Sequence, residues 1–191
     1  GSNCFYNCSS IQKIIIPSSV ASFGSKSFYN CNNIKEIKCD PYKISITSVF
    51  PNYNSIITLI INTTTTSLYN NNFCNLSKIN YISIPSTVTE IGDNTFSDLS
   101  NLQQIIIPSS VTTIGNSVFQ NCSSLQQITI PSSVASIGSS CFYNCSSLKQ
   151  IEIPSSVKSL NSSIFYGCSS LQNIIIPSSV ASFGSKSFYN C

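Results

Sequence analysis

Histidine, methionine and tryptophan are absent from the 191 residues, all nine basic residues are lysines, and only 8% of the chain is charged. Each scarcity closes off a class of function. Without histidine the chain lacks the usual general base, most nucleophilic triads and a common zinc ligand. Without arginine it lacks the side chain best suited to reading phosphates and bases, and a net charge of +3 spread over scattered lysines makes no phosphate-tracking surface. Nucleic acid is therefore not an expected partner. The six acids, Glu36, Asp40, Glu90, Asp93, Asp98 and Glu152, include no pair placed to act as acid and base, and no glycine-rich phosphate cradle occurs. The expectation is a protein that is not an enzyme and carries no cofactor and no metal. No stretch approaches the roughly 18 to 20 uninterrupted apolar residues of a membrane helix. No signal peptide opens the chain: Gly1-Ser2 reads as vector-derived and leads straight into Cys4-Phe5.

What the chain does have is a repeat. Pro17, Pro85, Pro108, Pro131, Pro154 and Pro177 belong to one column with a 23-residue step, in which Asp40 and Asn62 stand for proline. All three residue types suit a turn after a strand. The interval from Asp40 to Asn62 is one residue short, which places a deletion near Phe50. Such a period predicts a solenoid, each copy burying its apolar face against its neighbours. The 41% hydrophobic content, held at fixed positions, argues for an ordered core despite the low charge. Residues 3–191 read as one array of about eight turns, with both ends falling mid-repeat as in an excerpt from a longer protein.

Within the copy at Leu125–Cys145, Leu125-x-x-Ile128-x-Ile130 alternates as a short strand, and Val134-x-x-Ile137-Gly138 supplies a second β-prone piece on the opposite wall. The column Gly24, Gly92, Gly115, Gly138, Asn161, Gly184 is expected to mark a left-handed residue or a tight corner. Phe5, Phe28, Phe73, Phe96, Phe119, Phe142, Phe165 and Phe188, with Phe50 in the short turn, should stack into an internal spine. The column Asn7, Asn30, Asn75, Asp98, Asn121, Asn144, Gly167, Asn190 reads as a strained turn or a backbone cap. Four of the six N-x-S/T sequons fall in it, at Asn7, Asn75, Asn121 and Asn144, leaving Asn62 and Asn161 as the freer glycosylation candidates.

Ten cysteines invite a disulfide or metal reading. Six of them, Cys8, Cys31, Cys122, Cys145, Cys168 and Cys191, share a column that elsewhere holds Leu76 and Leu99. A site that accepts leucine is buried and apolar, and a free cysteine there acts as a small hydrophobe. Copies in adjacent turns would be about 5 Å apart, within bridging range. With no CxxC and no histidine, zinc is excluded as an expectation.

Between the inward residues of the first strand, two columns face outward. One runs Lys13, Glu36, Thr58, Tyr81, Gln104, Gln127, Gln150, Asn173; its neighbour runs Ile15, Lys38, Ile60, Ser83, Ile106, Thr129, Glu152, Ile175. Tyr81, Gln104, Ile106, Gln127, Thr129, Gln150, Glu152, Asn173 and Ile175 are the expected ligand-binding residues, since the face of a solenoid is its natural binding surface.

The pattern L-x-x-I-x-I-P-x-S-V-x-x-I-G-x-x-x-F-x-x-C, nearly complete from Tyr81 to Cys191 and weaker from Cys39 to Tyr69, resembles the BspA-like, Treponema-type leucine-rich repeat. The resemblance implies a leucine-rich-repeat solenoid that is β-rich, with parallel strands on two walls and little helix. It also implies a cell-surface or secreted address and binding of proteins or surface glycans in adhesion to host matrix, host cells or other microbes. An intracellular interaction scaffold with the same repeat is the alternative. Residues 14–31 and 174–191 are the same string, IIIPSSVASFGSKSFYNC, so the last turn is built as an interior one. Head-to-tail self-association through uncapped ends is a further expectation.

Overall fold

The strand after each Leu-x-x forms where β-branched residues alternate with polar ones, and the walls follow from stacking it. The computed structural model describes residues 1–24, 26–41, 46–50 and 53–191. On the first wall the strands are Lys13–Ile15, Glu36–Cys39, Thr58–Ile61, Tyr81–Ser83, Gln104–Ile106, Gln127–Thr129, Gln150–Glu152 and Asn173–Ile175. They pair in parallel as two four-stranded ladders, one ending at Tyr81–Ser83 and the other beginning at Gln104–Ile106. The second wall holds Ser67–Leu68, Glu90–Ile91, Thr113–Ile114, Ser136–Ile137, Ser159–Leu160 and Ser182–Phe183. Helix among the described residues is confined to Ile46–Val49 and the 3-10 turn Tyr53–Ser55. The molecule is thus a β-solenoid with parallel strands on two walls.

Register keeps like over like. Ile105 pairs with Ile128 and Ile151 with Ile174, so each inward side chain meets its own kind one strand spacing away, about 4.8 Å. Ile37, Leu59, Val111, Ile114, Val134 and Ile137 are all buried in the resulting core. The phenylalanines stack as expected: Phe73–Phe96–Phe119–Phe142–Phe165–Phe188 succeed one another at 5.8, 5.7, 5.5, 5.4 and 5.5 Å between ring centroids. Phe28 and Phe50 stack at 4.4 Å. The deletion is absorbed locally. A single helical turn, closed by the Phe50 amide donating to the Ile46 carbonyl at 2.8 Å, delivers Phe50 to the spine one residue early.

The phenylalanine segment is also a third hydrogen-bonded edge. In one copy the amides of Ser117, Phe119 and Asn121 donate to the Ser139, Cys141 and Tyr143 carbonyls of the next turn at 2.9, 2.8 and 2.8 Å. Within the segment the chain turns twice, with Gln120 donating to Ser117 and Cys122 to Phe119. Those turns put φ above zero at Ser117 and Asn121, and likewise at Ser140 and Asn144. The asparagine column is therefore left-handed, as its residue types indicate. Its side chains form ladders too: the Asn121 amide donates to Asp98 Oδ1 at 2.8 Å, and Asn144 to Asn121 Oδ1 at 3.2 Å.

The glycine column is not left-handed. Gly92, Gly115, Gly138 and Gly184 have no positive φ, which among glycines is confined to Gly167. Their reason is close approach between turns. A Cβ at Gly138 would stand 2.4 Å from Asn116 N and 2.6 Å from Gly115 O. Asn161 breaks the column, and the second-wall ladder divides there, Ser159–Leu160 pairing with Ser182–Phe183 but not with Ser136–Ile137. Elsewhere the column's backbone amide reaches the preceding turn, as Gly115 does to Ile91 O at 2.8 Å and Gly138 to Ile114 O at 2.9 Å. At Asn161 the side-chain amide makes that bond, to Ile137 O at 2.6 Å.

The two ends carry the same corner. Phe5 already stacks under Phe28 at 4.9 Å, and the Phe5 amide donates to Ser27 O. Residues 4–8 thus fill the phenylalanine corner one layer below the first strand, the corner that residues 187–191 fill at the other end.

Candidate ligand-binding face

Strand alternation sends Ile105, Ile128 and Ile151 into the core and turns their neighbours out. Gln104 pairs with Gln127, Gln127 with Gln150, and Gln150 with Asn173, all four exposed. One step along the strands, Ile106 pairs with Thr129 and Glu152 with Ile175. Eight of the nine expected residues thus share one ladder. Tyr81 is exposed as well but lies on the last strand of the neighbouring ladder. Ile106 is 81% exposed and Ile175 60%.

A shallow groove of about 520 Å³ runs over this ladder, with Gln127, Thr129, Gln150, Glu152, Pro154 and Asn173 among its lining residues. Glu152 is the one charge among the nine expected residues. Toward the other end of the wall the outward columns are more charged: Lys13 and Glu36 form a 2.7 Å ion pair across adjacent turns, and Lys38 follows. The face therefore divides into a charged half and a nearly neutral one.

The buried members of the cysteine column serve packing. Cys122, Cys145 and Cys168 are buried and donate to the carbonyls of Phe96, Phe119 and Phe142 in the preceding turn at 3.2, 3.1 and 3.1 Å. Burial pushes the Cys122 and Cys168 thiols up to about 12, and that of Cys145 well above its ordinary value. A thiol held protonated is neither a nucleophile nor a ready metal ligand. Leu76 and Leu99, in the same column, are buried like the cysteines. Cys191, in the last turn, is exposed. Among the described residues no three histidine, cysteine, aspartate or glutamate side chains are grouped so as to hold a metal ion.

In the two sequons outside the asparagine column, the side-chain amide is hydrogen-bonded to the backbone. Asn62 is 7% exposed and its amide donates to Ile16 O at 3.2 Å. The Asn161 amide is held by Ile137 O, as described above. Both stand at turn positions, with the Asn62 amide reaching back two turns and the Asn161 amide one.

One surface feature escaped the sequence reading. Tyr143, Tyr166 and Tyr189 stack at 4.6 and 5.1 Å, and Tyr6 stacks on Tyr29 at 5.3 Å. Desolvation in the stack, reinforced by Tyr143 and Tyr189, raises the Tyr166 phenol above its usual 10.0. The signal was present as a tyrosine directly after the phenylalanine in five copies. Because the rings cover one another's faces, the row presents mainly edges and hydroxyls.

The model of the BspA-type leucine-rich repeat region, built of six copies, matches residues 1–126 and 66–191. The chain belongs to the BspA-type leucine-rich repeat family. Among solved structures it is similar to a leucine-rich repeat protein of T. pallidum, with 25% identity and a TM-score of 0.74, covering 94% of this chain and 76% of that one. A leucine-rich repeat protein of Bacteroides ovatus is similar at 26% identity and a TM-score of 0.74, over 94% of this chain and 46% of the other. The pneumococcal vaccine antigen PcpA shares the fold at 16% identity and a TM-score of 0.50, over 91% of this chain and 58% of its own. No curated protein matches the sequence. No helix among the described residues is long and apolar enough to cross a membrane.

Proposed function

We propose that the chain is the binding part of a cell-surface or secreted adhesion protein, which holds a protein or surface glycan against the exposed first-wall face. The binding residues are Gln104, Ile106, Gln127, Thr129, Gln150, Glu152, Asn173 and Ile175, with Tyr81 at the margin. One observation carries the reading. Ile106 and Ile175 stand outward at 81% and 60% exposure on a strand face where their cross-strand partners, Thr129 and Glu152, are polar. A large aliphatic side chain gains nothing there by folding, whereas burying it under a ligand contributes roughly 1.5–3 kcal/mol. Leucine-rich-repeat family membership supports a binding role over an enzymatic one, and the thiols held protonated by burial point the same way.

The test is binding of the chain to immobilised matrix proteins, surface glycans and host cells, compared with Ile106→Asp. The variant changes an exposed position, so its circular dichroism and melting temperature should match the parent's while saturable binding falls. Absence of saturable binding across the whole panel would overturn the proposal.

A further inference from the structure

The neutral half of the face has a more specific chemistry. Gln104, Gln127, Gln150 and Asn173 form an unbroken row of exposed side-chain amides, one per strand and in register. The row is therefore spaced at about 4.8 Å. Each amide offers donors and an acceptor at once, and among the described residues none of the four side chains makes a hydrogen bond to another protein group. Along one side run Thr129 and Glu152, and the groove follows the row from Gln127 to Asn173.

We infer that this row is a track for a neutral, extended, β-linked polysaccharide lying along the solenoid axis. The inference rests on the binding-face reading above and names the ligand class for it. Two properties select that class. The first is charge: the row carries none, and the exposed charges beside it, Glu152 and Lys149, are one of each sign, which favours neither acidic nor basic ligands and leaves neutral hydroxyls the fitting partners. The second is period. An extended pyranose chain advances one sugar in close to one strand spacing, so successive amides meet the hydroxyls of successive sugars, alternate sugars being turned over where the linkage gives a two-fold chain. An extended peptide along the same axis advances about 3.3 Å per residue and presents one face every second residue, which falls out of step with the row within a few strands. Ile106 and Ile175, at the margin of the row, are placed to cover the apolar faces of the sugar rings.

The test is affinity electrophoresis of the whole chain through gels containing soluble neutral β-glucan or β-mannan, or hyaluronan, with binding to immobilised matrix proteins measured in parallel. The expected result is retardation by a neutral glycan and none by hyaluronan. Gln127→Ala with Gln150→Ala should weaken the neutral interaction roughly tenfold, since each net hydrogen bond is worth a factor of a few. Thermal melting of the double variant should be unchanged, because both side chains are exposed. Retardation that survives the double substitution, or hyaluronan bound as tightly as neutral glycan, overturns the inference. Matrix-protein binding lost in the double variant, with no glycan bound by the parent, overturns it in favour of a peptide ligand and leaves the adhesion reading standing. No binding in either format overturns both.

Discussion

A buried thiol at Cys122, Cys145 or Cys168 does its work as a small apolar plug, and its acidity records that. In the unfolded chain a thiol ionises near its ordinary 9.0, while burial holds Cys122 and Cys168 to about 12 in the fold. Between those values the unfolded state has released a proton that the native state keeps. Stability is therefore full below about pH 9 and falls as pH rises toward 12, by about 1.4 kcal/mol per pH unit for each such thiol. We expect denaturant midpoints to drop steeply from pH 9 upward. A variant with Ala at these three positions should be weaker at pH 7 but lose stability more gently above pH 9. A parallel decline in both proteins would show that other groups control the alkaline limb. A thiol reagent at pH 7 should react slowly with Cys122, Cys145 and Cys168 in the native chain and rapidly after unfolding. At the same scale the glycine column makes a sharp steric prediction. Gly138→Ala puts a methyl group against the Gly115–Asn116 backbone, where no flexible side chain can yield. We expect it to cost more than the roughly 1–3 kcal/mol typical of overpacking, measured by equilibrium unfolding. Asn161→Ala should lose only the bond to Ile137 O, about 1 kcal/mol.

At the scale of the element, one turn has three hydrogen-bonded edges around an apolar interior, and the sequence displayed two of them. Ile128 and Ile137 alternate with polar neighbours, and that alternation made both walls legible. The third edge has no alternation to read. It is built from tight turns at Ser117–Asn121, in which the serine takes a left-handed φ of 54°, a conformation its residue type does not advertise. The second serine of Pro-Ser-Ser-Val was silent for a similar reason: the Ser133 hydroxyl donates to the Val111 carbonyl of the turn below at 2.6 Å, a partner 22 residues away. The glycine column was legible as a constraint but not as the right one, because φ and close approach both demand glycine. The outward columns were legible in full, since strand parity alone decides which residues face out. The break between Tyr81–Ser83 and Gln104–Ile106 left no mark on the repeat pattern. The spine gives this scale its prediction. Phe119→Ala empties a position stacked on both sides, and should cost roughly 3–5 kcal/mol with little local collapse to offset it. Phe5→Ala, at the exposed end of the stack, should cost clearly less. Equal losses at both positions would mean that stability is not set by stacking within the core.

For the molecule as a whole, stability of a solenoid sums over turns and their interfaces, so its ends are where copies of this chain could meet. Continuing the first wall from one molecule to the next would set Lys13–Ile15 of the second beside Asn173–Ile175 of the first. In that register Phe28 of the second molecule lies one layer above Phe188 of the first. Phe5 lies one layer below Phe28, stacked on it at 4.9 Å, and so falls in the layer that Phe188 occupies. The segments in conflict are nearly the same, Cys4-Phe5-Tyr6-Asn7-Cys8 against Ser187-Phe188-Tyr189-Asn190-Cys191, and only one can fill the corner. We therefore expect head-to-tail growth to be blocked by duplication rather than by a capping surface. The 191-residue chain should sediment as a monomer at concentrations up to about 100 μM, where an interface stronger than about −5.5 kcal/mol would already reveal itself. Removing residues 1–8 takes away the duplicate corner and leaves the strand at Lys13–Ile15 free to pair. The shortened chain should associate with rising concentration into open chains, since the contact is heterologous and does not close. Chains formed by the full 191 residues, or a shortened protein that stays monomeric while folded, would show that the corner is not what keeps the ends apart.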